Sequence, residues 1–582
     1  MRLPFGQYRT VLATYLRQQR RTVALLGVLL FGSIALELLS PQILRVYIDS
    51  ATPGRPLARL FGAAAVYLAL VGVTMLVTVW ATYTSEDVGW TATNALRADL
   101  ALHCLTLDMS FHNARTPGEL IERIDGDVTA LANFFSEFVL RVAGNVLLLL
   151  GVLVLLARED GRLGLAFAVL AALSMGVLAR VQGVGVPAWE AARQASAEFF
   201  GFLEERLAGS IDIRSSAATP YMLRRFYAFM RARMATERKA GLMGSIMGST
   251  TILLFTGSYA LAFALGGALY RGGTLTIGTV YLVFQYIGML ERPVQQLTAQ
   301  MQDLQKAAAG LHRIEELLHI RSTVTDGPGA AFPAGALTVE FRGVSFAYGA
   351  GETVLHDVSF HLAAGQVLGL LGRTGSGKST VARLLTRLYD PTAGTVLLGG
   401  VDLRTARVAD VRARVGLVTQ DIQLFHASVR DNLTFFDRTV PDERILAALG
   451  ELGLGEWYRA LPDGLETMLA SGGGGLSAGE AQLVAFTRVF LGEPQLVILD
   501  EASSRLDPAT ERLVDQAVAA LLRGRTGLII AHRLATVQRA DRILVLDAGH
   551  SAEYGPRTQL ATDPTTRFFH LLQSGLPEET PP

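Results

Sequence analysis

Cysteine is almost absent from this sequence, and neither sign of charge is in excess. Cys104 is the single cysteine in 582 residues. One cysteine excludes an intrachain disulfide and a zinc or iron–sulfur centre built from cysteines. The 52 lysines and arginines equal the 52 aspartates and glutamates. A protein that binds nucleic acid through a basic surface is therefore not expected.

Charged residues of both signs are also scarce, at 18% of the chain, and only three of the cations are lysines. Hydrophobic residues make up 50%, and the mean hydropathy is +0.34. This composition argues against general disorder. It is too apolar for an ordinary soluble chain and too polar for one that lies in a membrane throughout.

Long apolar runs are confined to the first half of the chain. Each is long enough to cross a hydrocarbon core of ~30 Å as a helix. The six runs lie at 22–48, 60–83, 135–157, 163–186, 245–270 and 275–299. We therefore predict six membrane helices and, with them, a lipid bilayer as the surroundings of this half.

The N-terminal residues set the expected orientation. The first 21 residues carry five arginines and no acidic residue, so we expect the N-terminus of this multi-pass protein to stay in the cytoplasm. The long links 84–134 and 187–244 then also lie in the cytoplasm, and the short links lie outside. Helical spacing in both long links predicts that the membrane helices continue beyond the bilayer. We expect the tips of these links, at 113–118 and 215–220, to contact a cytoplasmic domain.

Four polar residues fall inside or near the ends of the predicted membrane helices: Glu37, Gln42, Arg45 and Gln285. An ionisable group at the centre of a bilayer costs about 2.5–3.5 kcal/mol on insertion scales, so such groups usually face a bundle interior or a cavity. Two interpretations stay open. The residues either pack helices together or line a substrate pathway.

Composition changes after residue 318, where we place the end of an α-helical transmembrane domain, 1–318. Residues 319–336 are rich in Gly, Pro and Ala without periodicity, which predicts a linker. From 337 to 572, short β-type runs alternate with helical stretches, which is typical of an α/β domain with a parallel sheet. We expect the tail, 573–582, to be disordered.

The most informative motif follows the predicted strand at 367–371. It matches G-x-x-x-x-G-K-[ST] between a strand and a helix, as phosphate-binding loops do, and it reads Gly372, Arg373, Thr374, Gly375, Ser376, Gly377, Lys378, Ser379 and Thr380. Its glycines let backbone N–H groups point at phosphates, and the helix N-terminus adds partial positive charge. We expect Lys378 to contact the β- and γ-phosphates and Ser379 to reach Mg²⁺.

A second candidate is the acidic pair Asp500-Glu501, which ends another apolar strand. Asp500 would hold Mg²⁺ directly or through water, and Glu501 would polarise the attacking water. Acidic pairs after strands are common. This assignment therefore depends on the phosphate loop and the membrane helices in the same chain.

These motifs make the second half resemble the nucleotide-binding domain of an ATP-binding cassette transporter, which has a P-loop NTPase fold. The order of six membrane helices and then one cassette resembles an exporter half-transporter, and 116–120 and 275–278 also look like exporter sequence. The resemblance implies an ATPase that uses ATP and Mg²⁺, lies in the cell membrane with its cassette in the cytoplasm, and pairs with a second half-transporter.

The resemblance also assigns residue roles. By it, Tyr348 stacks on adenine, Gln420 senses Mg²⁺ and the membrane domain, and His532 contacts the γ-phosphate. Ser504 and Asp507 belong to the loop that crosses the dimer interface.

The family's signature, L-S-G-G-Q, is altered here and reads Leu476, Ser477, Ala478, Gly479 and Glu480. In the family this segment clamps the γ-phosphate that is bound to the opposite subunit. We expect the methyl group of Ala478 to crowd that approach, and Glu480 adds negative charge beside a polyphosphate.

All of these departures lie on the face that serves the partner's ATP. This split resembles one half of a heterodimeric exporter with one weak ATP site. A homodimer that tolerates the variant is the alternative, as is an importer or channel on the exporter fold. A soluble cassette that acts as a regulator conflicts with the six apolar runs. The apolar helices favour an amphipathic or lipid-like substrate over a highly charged one.

Overall fold

Long helices with few breaks build the first half of the chain. The computed structural model describes residues 15–51, 57–137, 142–349, 351–470, 476–500, 508–530 and 537–574. It forms two compact units, of which one comprises Met1–Leu105 with Pro117–Ile320 and the other Thr106–Thr116 with Arg321–Pro582. The helices of the first half are α1 (Arg20–Ser50), α2 (Leu57–Thr106), α3 (Met109–Asn113), α4 (Pro117–Ile121), α5 (Asp127–Glu137), α6 (Gly144–Glu159), α7 (Gly161–Ala208), α8 (Ser210–Ser215), α9 (Thr219–Arg271) and α10 (Ile277–His319).

Four of the described helical spans are long and apolar enough to cross a membrane: Arg17–Ser50, Leu60–Thr106, Gly161–Ala208 and Thr219–Arg271. They coincide with the first, second, fourth and fifth predicted runs. The sixth run lies in α10, and the third lies partly in α6 and partly outside the described residues. Helix α9 has 53 residues, or about 80 Å at 1.5 Å per residue. The predicted extension beyond a bilayer is therefore confirmed for this helix.

An apolar core joins α1, α6, α7 and α10 within the first unit, with buried residues such as Ile34, Val152, Phe167 and Ile287. Helix α2 contributes almost nothing to it, because its most apolar window has 0% of its residues buried. Burial of apolar surface inside a bilayer gains little, so close packing and polar contacts hold such helices together.

Contacts between helices involve Arg45 and Gln42, which are among the polar residues singled out in the sequence. Arg45 donates to Glu159 at 2.5 Å, and Gln42 donates to the hydroxyl of Tyr286 at 3.0 Å. These contacts match the packing interpretation for Gln42 and Arg45. Gln285 donates along its own helix, to Tyr281 at 2.9 Å.

The second unit is α/β, as predicted. Its strands are β1 (Val339–Ala347), β2 (Thr353–Leu362), β3 (Val367–Leu371), β4 (Ala393–Leu398), β5 (Val401–Asp402), β6 (Val415–Val418), β7 (Leu496–Asp500), β8 (Thr526–Ile530), β9 (Arg542–Asp547) and β10 (His550–Pro556). One sheet has the order β2-β1-β4-β5, and its strands are antiparallel. The other has the order β10-β9-β3-β8-β7-β6 and is parallel from β9 to β6.

Helices cover these sheets and enclose two apolar cores. They are α11 (Lys378–Leu385), α12 (Val408–Arg414), α13 (Val429–Thr434), α14 (Asp442–Glu451), α15 (Gly455–Ala460), α16 (Ala478–Leu491), α17 (Pro508–Leu522), α18 (Arg557–Thr562) and α19 (Arg567–Ser574). The parallel strands are apolar throughout, since helices bury both faces of such a sheet. The fold class predicted from the sequence is thus confirmed.

The stretch predicted to be a linker is fixed to this unit by a buried arginine. Arg387 is 2% exposed and donates to the carbonyl oxygens of Thr325 and Ala406, at 2.7 and 2.8 Å. Asp390 balances its charge at 3.1 Å. A buried guanidinium needs such partners. These contacts hold the segment after α10 against the α/β unit, although the segment has no regular secondary structure.

Candidate nucleotide-binding site

The predicted site residues follow neighbouring strands of the parallel sheet. The phosphate loop follows β3, Asp500 is the last residue of β7, and Gln420 comes two residues after β6. The register aligns these strand ends, since Ile530 at the end of β8 pairs with both Leu370 and Asp500. Ligands of open α/β sheets bind at the carboxyl ends of the strands. The topology therefore brings these segments to one edge.

Glycine is required in the phosphate loop by backbone conformation. Gly375 and Gly377 have φ angles of 81° and 100°, and Gly377 immediately precedes α11. A Cβ atom at Gly377 would lie 2.5 Å from the Leu355 side chain. Left-handed backbone favours glycine, so these residues give the loop its shape and leave the N-terminus of α11 open to an anion.

Polar groups inside the loop are arranged for a ligand. The ammonium group of Lys378 donates to the carbonyl oxygens of Gly372 and Arg373 at 2.8 and 3.1 Å, although the residue is only 6% exposed. The buried Oγ of Ser376 has no hydrogen-bond partner among the described residues. An unpaired buried hydroxyl is unfavourable. A phosphate in the loop would satisfy it.

Tyr348, predicted to stack on adenine, is anchored to the helix that follows the loop. Its hydroxyl lies 3.0 Å from that of Thr380 and accepts from Arg383 at 2.9 Å. Its ring also meets Phe346 and Tyr389 edge to face, with centroids 4.8 and 5.2 Å apart. These contacts fix the ring relative to the phosphate loop.

The tip at 113–118 was predicted to contact a cytoplasmic domain, and Asn113 at the start of this tip contacts the α/β unit. Asn113, at the end of α3, donates to the hydroxyl of Tyr389 at 2.7 Å. Asp108 begins α3 and accepts from the hydroxyl of Thr323 at 2.7 Å. Burial alone would raise the pKa of Asp108, but hydrogen bonds from Thr323 and the start of α3 lower it.

Tyr389 was not singled out by the sequence. It touches Tyr348 on one side and Asn113 on the other, so it joins the candidate adenine site to the tip of the first long link. No motif marks Tyr389 or Asn113. The only signal available was the turn composition at 113–118.

We expect Tyr389→Phe to lower ATP turnover by the assembled transporter by up to about fivefold, because one hydrogen bond worth ~1 kcal/mol to the tip is lost. The ring and its packing remain, so the affinity for MANT-ATP should change by less than about twofold. Tyr458→Phe, at a partly buried tyrosine elsewhere in this unit, is the control. Normal turnover in Tyr389→Phe, or weakened MANT-ATP binding, would contradict this role.

The altered signature forms the N-terminus of α16. Ser477 caps the helix by accepting from the backbone N–H of Glu480 at 3.2 Å, and the Glu480 carboxylate accepts from the N–H of Ser477 at 2.7 Å. This reciprocal pair is a capping box. Ala478 is the first helical residue and is exposed, and Gly479 is buried. Glu480 therefore stabilises the helix N-terminus while it places a negative charge there.

Several predicted residues cannot be placed. Glu501, Ser504, Asp507 and His532 lie outside the described residues. Gln420 is exposed, and Leu476 packs against the apolar core next to α16.

One unit of this chain consists of helices long enough to span a membrane, and the other is an α/β unit with a phosphate loop. Together they define the class of ATP-driven membrane transporters. Comparison with family models agrees. Residues 23–294 match the family model described as ABC transporter transmembrane region, and residues 355–504 match the model described as ABC transporter.

Relatives match along most of the chain. An ATP-dependent lipid A-core flippase of Photorhabdus laumondii is 31% identical over 80% of this chain and 80% of its own length. A fatty acid ABC transporter ATP-binding/permease protein of Mycobacterium tuberculosis is 29% identical over 80% of this chain and 74% of its own. A bacterial Atm1-family ABC exporter with ATP bound has the same fold, with a TM-score of 0.79 and 26% identity over 97% of this chain and 99% of that one.

This chain belongs to the ABC transporter family and is a half-transporter of the exporter type. It is an ATP-hydrolysing membrane protein. The fold of an exporter half-transporter implies dimerisation and a lipid bilayer.

Proposed function

We propose that the chain is one half of an exporter that moves an amphipathic or lipid-like substrate out of the cell by alternating access. The transmembrane domain comprises 1–318, the linker 319–336 and the cassette 337–572. The N-terminus and the cassette lie in the cytoplasm, and the protein lies in the cell membrane. The observation that carries the proposal is the phosphate loop, with Lys378 and the Ser376 hydroxyl buried in it, in a chain with helices long enough to span a bilayer.

In this proposal the chain binds its own ATP through the phosphate loop. Backbone N–H groups from Gly372 to Thr380 and the ammonium group of Lys378 hold the phosphates, and the ring of Tyr348 holds adenine. Ser379, Gln420 and Asp500 supply the oxygen ligands that Mg²⁺ prefers. The ion would neutralise charge on the phosphates during transfer.

The remaining residues of the proposed site lie outside the described part of the structure. They are assigned from their positions in the sequence. Glu501 follows the last residue of β7 and orients the attacking water. His532 follows β8 by two residues and contacts the γ-phosphate. Ser504 and Asp507 would act at the interface with the partner cassette, as the family resemblance implies.

We further propose that the partner is a different half-transporter. The residues that serve this chain's own ATP keep their expected types, whereas the signature, which would serve the partner's ATP, has Ala478 and Glu480. Ala478 is exposed at the start of α16, so its methyl group would meet a phosphate that approached this helix N-terminus. The capping box also places the Glu480 carboxylate at the N-terminus of α16. A helix N-terminus favours anions, so this carboxylate and a phosphate would compete for the same position. A homodimer remains the alternative, because the helix N-terminus itself is well formed.

The substrate class has support from the relatives' names and from the membrane helices. One relative is named for lipid A-core and another for fatty acids, and both cargoes are amphipathic. Apolar residues also dominate the helices that cross the bilayer.

Vesicles test the function and the orientation together. In inside-out vesicles that contain the transporter, external ATP should drive uptake of an NBD-labelled fatty acid or of ethidium. In right-side-out vesicles external ATP should have no effect, because the cassette is inside. The Lys378→Ala transporter is the control for passive entry. Uptake by right-side-out vesicles, or ATP-driven efflux from inside-out ones, would overturn the orientation or the direction.

A further inference from the structure

The chain passes between the two compact units at three places, which are after Leu105, after Thr116 and after Ile320. The segment 106–116, which contains α3, therefore belongs to the α/β unit, although helices of the first unit flank it in the sequence. Helix α2 leads into this segment, and α10 leads into the predicted linker. Two long helices of the first unit are thus connected to the α/β unit through separate segments.

Asp108 joins these two segments. One of its carboxylate oxygens accepts from the hydroxyl groups of Ser322 and Thr323, at 3.3 and 2.7 Å, and from the backbone N–H of Thr323. The other oxygen caps α3 by accepting from the N–H groups of Ser110 and Phe111, at 3.0 and 3.3 Å. Hydrogen bonds to an ionised group are stronger than neutral ones. This carboxylate therefore fixes the start of the linker to the start of α3.

Each of the two segments is also anchored to the α/β unit by itself. In α3, Met109 packs against one of the two apolar cores of this unit, and Asn113 donates to the hydroxyl of Tyr389. On the linker, Thr325 accepts from the buried Arg387. With Asp108 between them, α3 and the start of the linker form one continuous piece with the α/β unit.

A second contact joins α2 and α10 within the first unit. The Nε2 atom of His103, near the end of α2, donates to the carbonyl oxygen of Leu317, near the end of α10, at 3.0 Å. The two helices are therefore joined to each other just before the chain leaves the first unit. The segments that continue them are joined again, through Asp108, just after it enters the α/β unit.

We propose that Asp108 is a positioning residue for transport, which holds α3 and the start of the linker together so that α2 and α10 follow the α/β unit at the same time. Packed side chains, hydrogen bonds and rigid elements carry coupling between distant sites. Without the contact, one helix could follow a movement of the α/β unit while the other lagged behind. This inference goes beyond the proposed function, because it holds for any cargo.

A reversible cross-link tests this role. Asp108→Cys and Thr323→Cys are combined in a Cys104→Ser background, because Cys104 is the single cysteine of the chain. In the oxidised, fully assembled transporter, ATP hydrolysis and ATP-driven uptake of ethidium by inside-out vesicles should stay within about twofold of the background. Reduction should lower uptake per ATP hydrolysed by about threefold to tenfold, because the hydrogen bonds of Asp108 are then missing and nothing replaces them.

Single substitutions separate the contact with the linker from the helix cap. Asp108→Ser keeps a good N-cap, but serine reaches less far than aspartate. Its uptake per ATP should therefore fall about threefold to tenfold, as in Asp108→Ala, while the affinity for MANT-ATP stays within about twofold of wild type in both. The control is Asp563→Ala. Asp563 accepts from the N–H and the hydroxyl of Thr565, at 2.9 and 2.7 Å, but within one turn of the chain, so its loss should leave uptake unchanged.

Hydrogen–deuterium exchange adds a measurement that needs no cargo. The amide of Thr323 donates to Asp108, so exchange in the peptide 321–325 should be about threefold to tenfold faster in Asp108→Ala and Asp108→Ser than in wild type. In wild type, ATP with vanadate should leave this protection unchanged, because the contact stays closed through the cycle.

Three results would overturn the proposal. If oxidation blocks hydrolysis and reduction restores it, the contact has to open during the cycle. If Asp108→Ser or the reduced cysteine pair transports like wild type, only the helix cap matters. If no cross-link forms, or exchange is the same in all variants, the contact is absent from the protein in its membrane. A wild-type transporter that takes up no probe would contradict the proposed export, while exchange and hydrolysis by the cross-linked protein would still decide the role of Asp108.

Discussion

Replacing Lys378 with alanine should abolish ATP hydrolysis by the assembled transporter, with a loss of at least about 100-fold. Lys378 is buried in the phosphate loop and contacts the carbonyl oxygens of Gly372 and Arg373. Without its ammonium group, those carbonyls would face the phosphates with no positive charge to offset the repulsion. Steady-state release of phosphate by the purified complex measures the effect.

Ser477→Ala in the same complex should cost much less, below about fivefold. Ser477 lies at the N-terminus of α16. In the proposed heterodimer it would act only across the interface, in the weaker of the two ATP sites. The substitution also removes a helix cap, which costs about 1 kcal/mol of stability. Ser477→Thr keeps a capping hydroxyl, so comparison of the two variants separates loss of the cap from loss of a phosphate contact.

The same reasoning predicts little ATPase activity for this chain alone, because a dimer of it would present two altered signatures. Addition of the partner should restore hydrolysis. If the chain alone is a vigorous ATPase and Ser477→Ala is as damaging as Lys378→Ala, the transporter is a homodimer. Ala478 and Glu480 are then neutral variants, and the capping box is the reason that Glu480 is tolerated.

Most of the features that could be predicted from the sequence are encoded in local patterns. The phosphate loop was predictable because its residues are contiguous and their geometry is fixed by the glycines and by the strand and helix on either side. The long helices were predictable because apolar periodicity extends unbroken from the membrane runs into the links. The parallel sheet followed from strands that alternate with helices.

Contacts between distant residues could not be predicted in this way. Asn113 and Tyr389 are 276 positions apart, and nothing in either local sequence refers to the other. The buried Arg387 that fixes the predicted linker is likewise part of a helix-to-strand connection with no motif. Such contacts depend on which surfaces the fold brings together. No short pattern in a single sequence reports which surfaces will meet.

The signature differs from these contacts, because the local sequence around Ser477 already contained the pattern that explains Glu480. Ser477 followed three residues later by Glu480, ahead of an apolar run, is the sequence pattern of a capping box. Comparison with L-S-G-G-Q drew attention to the glutamine that is missing. The structure shows that the glutamate has a role of its own at the start of α16. Whether that role coexists with weak ATP clamping is what the Ser477 variants measure.

Glu501→Gln should lower ATP hydrolysis by about 10²–10⁴-fold and leave ATP binding intact. The residue follows Asp500, which ends β7 at the carboxyl edge of the sheet. Strand β8 lies between β7 and β3, the strand that precedes the phosphate loop. Glutamine has the same size but cannot act as a base, so only the orientation and polarisation of water are lost. Binding of MANT-ATP and steady-state ATPase activity of the complex measure the two effects separately.

The matched control is Glu493→Gln, at an exposed glutamate shortly before β7 that pairs with Arg444. It should keep normal hydrolysis, since an exposed ion pair contributes little. ATPase activity of Glu501→Gln above half of the wild-type activity would contradict a catalytic role for Glu501.

Because the proposed weak site retains little hydrolysis of its own, a heterodimer should lose nearly all turnover through this one substitution. In a homodimer the same substitution would change both sites at once, so mixing wild-type and Glu501→Gln chains there would yield partly active dimers.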